Sequence, residues 1–175
     1  MIGRDSHLAL MELLRSVYRL QIIEIPLFAL FAAQIILGVI LMVKRGKPKG
    51  SWAWMQAISG GYIAFFLLQH LGATVMARMN YDFETTTYFA AAVVSGLPYG
   101  LYFFPYYVLG ITAVFAHIAA AARFANWREP AKTWHKALPI VGFVFALAVV
   151  TALSSGASDD LPEANKAYLE DSFGV

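Results

Sequence analysis

Apolar runs long enough to cross a bilayer recur along the chain at residues 20–43, 53–77, 100–124 and 137–155. A hydrocarbon core of about 30 Å needs roughly 20 apolar residues of helix, so the pattern predicts four spanning helices. Ahead of the first run, "HLALMELLRSVYRL" places Leu10, Met11, Leu14, Val17 and Tyr18 at helical spacing, with Glu12, Arg15 and Arg19 between them. That is the pattern of a helix lying in the interface. Between the second and third runs, "TTTYFAAAVVSGLPYG" is apolar but only about half a span long, and Gly96 with Pro98 breaks it, which predicts a short tucked-in or interfacial helix. The expected fold is all-α: an integral membrane four-helix bundle with an N-terminal interfacial helix and a short helix between the second and third spans. It forms one domain over residues 1–175, with a polar tail at 158–175.

Basic residues orient the spans. "KRGKPKG" carries Lys44, Arg45, Lys47 and Lys49, and "RFANWREPAKTWHK" carries Arg123, Arg128, Lys132 and Lys136. Both loops are therefore expected on the cytoplasmic or matrix side of a bacterial or mitochondrial inner membrane. Trp52, Trp54, Trp127 and Trp134 fall at that same interface, where indole rings prefer to sit. The charged residues before the first run do not resemble the start of a signal peptide, so the first span is expected to be retained. His7 and His135 flank the spans and are expected to be solvated.

Composition narrows the chemistry. Of 175 residues, 59% are hydrophobic and 14% charged, with a mean hydropathy of +0.61, which points away from a soluble domain. A net charge of +2, carried in short loops, gives no footprint for nucleic acid. The absence of cysteine removes disulfides, thiol catalysis and thiolate-held metal or iron-sulfur sites within this chain. Any metal must then be held by histidine, oxygen or a thioether.

Polar side chains at membrane depth are costly unless paired, so each is a candidate for function. Counting the helical rise from the basic end puts Ser59 at about 9 Å, His117 at about 10 Å, Gln34 at about 14 Å and His70 at about 25 Å. Two levels result. The inner one holds Gln34, Gln56, Ser59 and His117, bordered by Arg123; the outer one holds Glu24, Gln69 and His70, bordered by Arg78. On the second span Gln56, Ser59, Phe66, His70 and Thr74 share a face. On the third, Gly110, Ala113, His117 and Ala120 form a stripe of small residues beside a histidine, which would let something flat approach the backbone. A porphyrin is one such object, since imidazole is a common haem-iron ligand and haem faces bury in apolar clefts. The alternative is helix packing by the small residues, with each histidine hydrogen-bonded across an interface. The depth difference of about 15 Å is too large for one haem bridged by both histidines unless the boundaries move, which leaves room for a ligand from a partner subunit. Gln34 needs a partner too, and an interhelical hydrogen bond would suffice. "YGLYFFPYY" reads first as an interfacial aromatic belt and second as the wall of a ring-binding cleft.

Two windows, "QAISGGYIAFFLLQHL" and "YYVLGITAVFAHIAAAARF", resemble helices of the membrane-anchor cytochrome b subunits of the succinate dehydrogenase and fumarate reductase superfamily. The resemblance implies His70 and His117 as haem b ligands and Ser59 as a quinone-site residue, with Gln56 and Gly110 beside them. It also implies soluble redox partner subunits. Ile63 stands where that family usually has an arginine about one turn after the serine. The leading expectation is a haem b subunit carrying electrons between quinone and partner redox subunits. Its rival is a cofactor-free accessory subunit of a larger membrane complex, held by its small-residue faces and aromatic belt. Self-association into a homo-oligomer is compatible with either.

Overall fold

A computed structural model of the chain describes residues 4–80, 87–95 and 98–156, together with positions 163, 166, 167, 170 and 171. Every described element is helical: α1 (Arg4–Tyr18), α2 (Gln21–Arg45), α3 (Ser51–Asn80), α4 (Thr87–Ser95), α5 (Gly100–Ala125) and α6 (Thr133–Gly156). Four of them, α2, α3, α5 and α6, are long and apolar enough to cross a bilayer, so this is an all-α integral membrane protein. Most of the polar tail lies outside the described residues. The chain divides into two compact units, Met1–Lys47 and Pro48–Val175.

In the N-terminal unit, α1 and α2 are joined at Leu20, whose carbonyl accepts from the amides of Ile23 and Glu24 and opens α2. Pro26 sits in the second turn, where it removes only one hydrogen bond of the new helix. The far end is closed by Gly46, which adopts φ +65° and donates its amide to the Met42 carbonyl. A left-handed residue costs glycine nothing, and Lys44 and Arg45 in the last turn suit the negative end of the helix dipole.

In the C-terminal unit α3 runs antiparallel to α5: Ser59 meets His117, Gly110 lies under Phe66, and Tyr102 reaches Gln69. α6 packs along α5 around Val94, Val108, Ala146 and Val150, and the Phe115 side chain is seated on Gly142. The short α4 is tucked in. Its Ala91, Ala92, Val93 and Val94 are all buried, and the Ser95 hydroxyl donates to the Ala91 carbonyl at 2.6 Å and lies 3.2 Å from the Ser154 carbonyl on α6.

The α5–α6 connection is tied locally. Arg123 donates to the Asn126 carbonyl, and Lys132 pairs with Glu129 at 2.9 Å, which holds the exposed Glu129 carboxyl below its usual range. The Lys132 amide donates to Nδ1 of His135 three residues on, the backbone half of a capping box. His135 is only 1% exposed, stacked on Trp134 at 3.9 Å and edge-on to Trp52 at 6.1 Å. The expectation of a solvated His135 is therefore corrected. The last helix begins at Thr133, four residues before its apolar run, and that extra turn draws the imidazole in against α3. The Trp52–His135 contact also gathers the first turns of α3 and α6 at one end of the unit, where Trp54, Trp127 and Trp134 are exposed.

Candidate functional site

Of the residues singled out from sequence, Glu24 and Gln34 lie on α2 in the N-terminal unit, and those on α3 and α5 fall into two layers between these helices. In the first, Ser59 is 4% exposed and its hydroxyl lies 2.6 Å from the Met55 carbonyl, 3.3 Å from the Gln56 carbonyl and 3.2 Å from Nδ1 of His117. A hydroxyl has one proton. Two acceptors cannot rest 2.6 Å apart without a hydrogen between them, so that proton goes to Met55, one turn back along α3. Nδ1 of His117 must then be the donor to Ser59, which leaves Nε2 as the imidazole lone pair. The ring lies flush on Gly60, where a Cβ would meet its Cε1 at 3.0 Å. Serine and histidine are thus on one level, as the helical rise predicts. The Gln56 side chain makes no hydrogen bond among the described residues and joins this layer only through its carbonyl.

This geometry limits what Ser59 can do. Its proton is committed to a carbonyl and its oxygen to His117, so it has no donor to offer a quinone carbonyl. Nor is it poised as a nucleophile, because the histidine donates to it instead of accepting from it. Ser59→Ala removes the one acceptor that Nδ1–H has among the described residues. We expect a loss of about 1–3 kcal/mol of stability, the cost of a stranded buried donor, read by thermal unfolding in detergent.

The second layer is aromatic. Phe66 projects from α3 onto Gly110, so closely that a Cβ there would stand 2.5 Å from the ring. Around Phe66 are Tyr106, stacked at 4.7 Å, His70, stacked at 5.2 Å, and Tyr107, edge-on at 5.9 Å. Tyrosine hydroxyls stitch the two helices together: Tyr62 donates to the Tyr106 carbonyl, Tyr106 to the Phe66 carbonyl, and Tyr102 to Oε1 of Gln69 at 2.7 Å. Buried phenols find acceptors in this way because an unpaired hydroxyl in a dry site costs free energy. Within the run "YGLYFFPYY", Tyr106 is only 5% exposed and packs between the helices, while Leu101 and Tyr102 are exposed. Tyr62 and the hydroxyl of Tyr106 were not among the sequence-derived candidates, although Tyr62 lies three residues from Ser59, close to the face that turns toward α5.

One haem bridged by His70 and His117 of this chain does not fit these residues. His70 lies eleven residues beyond Ser59 on the uninterrupted α3, about 16 Å along the axis from the level of His117. Two axial ligands of one iron must meet at that iron from opposite faces. The notch at Gly110, open to a flat cofactor in the sequence reading, holds the ring of Phe66. Among the described residues no cluster of three or more histidine, aspartate or glutamate side chains could hold a metal. The side chain of Arg78 lies outside the described residues. No protein-family model matches the chain, and neither the curated proteins nor the solved structures include a match. The resemblance to cytochrome b anchors thus rests on its two windows, and any functional reading rests on the geometry.

Proposed function

We propose that the protein is a cofactor-free accessory subunit of a larger membrane complex, working through helix packing rather than through chemistry of its own. The observation that carries this reading is the seating of Phe66 on Gly110: the small-residue face that could have received a flat ligand is used to lock α3 to α5. His70 joins the same aromatic stack, and Ser59 and His117 satisfy each other. Among the described residues, most polar groups of the candidate site on α3 and α5 then have a packing or hydrogen-bonding task; the Gln56 amide, the ring nitrogens of His70 and the buried Nε of Arg123 have no hydrogen-bond partner, and neither has Nε2 of His117. The membrane is proposed to be a bacterial or mitochondrial inner membrane, with the basic segments 44–49 and 123–136 on its cytoplasmic or matrix face.

Nε2 of His117 supports one second reading. Histidines that ligate metals usually have the other ring nitrogen donating a hydrogen bond, which fixes the tautomer and ring orientation. His117 has that arrangement through Ser59. In this reading His117 would help hold a haem b together with a residue of another redox subunit, and the haem would supply one-electron transfer toward a quinone pool.

A reduced-minus-oxidised visible spectrum of the chain in its native membrane complex separates the two readings. A flat spectrum is the expected result. A b-type band that survives His70→Ala and is lost in His117→Ala would move the assignment to the shared-ligand haem. A band lost in His70→Ala would overturn both.

A further inference from the structure

The first turns of α3 and α6 meet where Trp52 packs edge-on to His135, and α5, antiparallel to α3, finishes at the same end of the C-terminal unit. Residues 48–56 and 121–137, which form this end, carry Lys49, Arg123, Arg128, Lys132 and Lys136 against one carboxylate, Glu129. Lys132 already holds that carboxylate, at 2.9 Å. Neither α3 nor α6 has an acidic residue in its first turn, where one would answer the positive end of the helix dipole. Acceptors are short as well. Nδ1 of His135 accepts the Lys132 amide, so the ring hydrogen is on Nε2; that nitrogen and Nε of Arg123 are buried donors without a partner among the described residues. Cationic side chains, helix dipoles and unanswered N–H groups here add to one positive field.

The ends of membrane spans meet the layer of lipid headgroups. Trp54, Trp127 and Trp134 are exposed at this end, as indole rings at that level are. The Arg128 guanidinium lies 5.3 Å over the Trp127 ring, and no carboxylate among the described residues pairs with it. A guanidinium is a planar fork of donors that matches phosphate. Lys136, exposed in the first turn of α6, is likewise unpaired among the described residues. We infer that this end of the C-terminal unit binds the headgroup phosphate of an anionic phospholipid, with Arg128 and Lys136 as the residues that select it. A zwitterionic headgroup brings a cation of its own, which the field repels. An anionic headgroup brings none. The inference is independent of whether His117 ligates a metal, and its failure would leave the accessory-subunit reading standing.

All four tryptophans of the chain, Trp52, Trp54, Trp127 and Trp134, lie in these segments, so intrinsic fluorescence reports on this end. We would titrate the full chain in detergent with phosphatidylglycerol bearing brominated acyl chains, which quench indole, and in parallel with phosphatidylcholine bearing the same chains. Phosphatidylglycerol is expected to quench at the lower concentration. That preference should fall roughly five-fold in Arg128→Gln and again in Lys136→Gln, the effect of one basic residue at an anionic lipid surface. Both side chains are exposed, so neither change disturbs the packing. Arg4→Gln combined with Lys166→Gln removes the same net charge elsewhere and should leave the preference as it was. Equal quenching by the two lipids would overturn the proposal, as would a preference that survives in the Arg128→Gln, Lys136→Gln double variant. A control pair that loses the preference equally would assign it to the charge of the whole chain and overturn the site. Inorganic phosphate that reverses the quenching at the lipid's own concentration would assign the site to free phosphate and overturn the lipid.

Discussion

Gly142→Ala is expected to destabilise the protein by about 1–3 kcal/mol, against the direction that helix propensity predicts. In an open helix interior, alanine is preferred over glycine by roughly 1 kcal/mol, because glycine gives up more backbone freedom on folding. At Gly142 a new Cβ would stand 2.4 Å from Cβ of Phe115 and 2.5 Å from its Cγ. The Cβ of Phe115 is fixed by the α5 backbone, so no rotamer change can clear the clash. The helices must separate, and with them the packing of α6 against α5. Gly61 and Gly72 are the controls, since neither has an atom within 4 Å of the position its Cβ would take. Their alanine variants should be neutral or slightly stabilised in the same thermal or denaturant-driven unfolding assay in detergent. If Gly142→Ala unfolds with the controls, α5 and α6 are not in the close contact described here.

How much of this could be read from sequence depends on which physical rule was in play. The spans were legible because a bilayer sets a minimum apolar length, and α2, α3, α5 and α6 all exceed it. The shared level of Ser59 and His117 was legible because the rise of a helix is constant and two antiparallel neighbours keep a fixed register. The ends of the helices were less so. α6 starts at Thr133, ahead of its apolar run, because a helix terminus is decided by capping groups such as the Lys132 amide and His135 Nδ1, which hydropathy does not register. The meaning of Gly110 was not legible at all. A glycine beside small residues says that something large approaches the backbone, and it says the same whether that object is a porphyrin or a phenyl ring from the next helix. Deciding between them requires the rotation of α3 about its own axis, which is set jointly by the Tyr62 and Tyr106 hydroxyls and the stacking of Phe66.

Phe66→Ala should have the largest effect of any single change on this layer, a loss of about 3–5 kcal/mol. Three ring contacts go at once, to His70, Tyr106 and Tyr107, and the space above Gly110 is left empty. In a bilayer the cost comes from lost van der Waals contacts between helices, because lipid removes the hydrophobic drive that operates in water. Two residues facing each other in one notch should also fail to add. Gly110→Leu alone puts a side chain into the space occupied by the Phe66 ring and should destabilise the protein, whereas in the Phe66→Ala background the same leucine fills the cavity from the α5 side. The double variant is therefore expected to recover a substantial part of the stability lost by Phe66→Ala, giving a coupling energy within the range of about 0.5–3 kcal/mol seen for residues in contact. Measuring all four corners of that cycle by unfolding in detergent tests the packing directly. Strict additivity would mean that Phe66 does not occupy the Gly110 notch, and the accessory-subunit reading would lose the observation it rests on. Recovery in the double variant would show that what this face requires is a well-filled contact between α3 and α5, which is the property expected of a structural subunit.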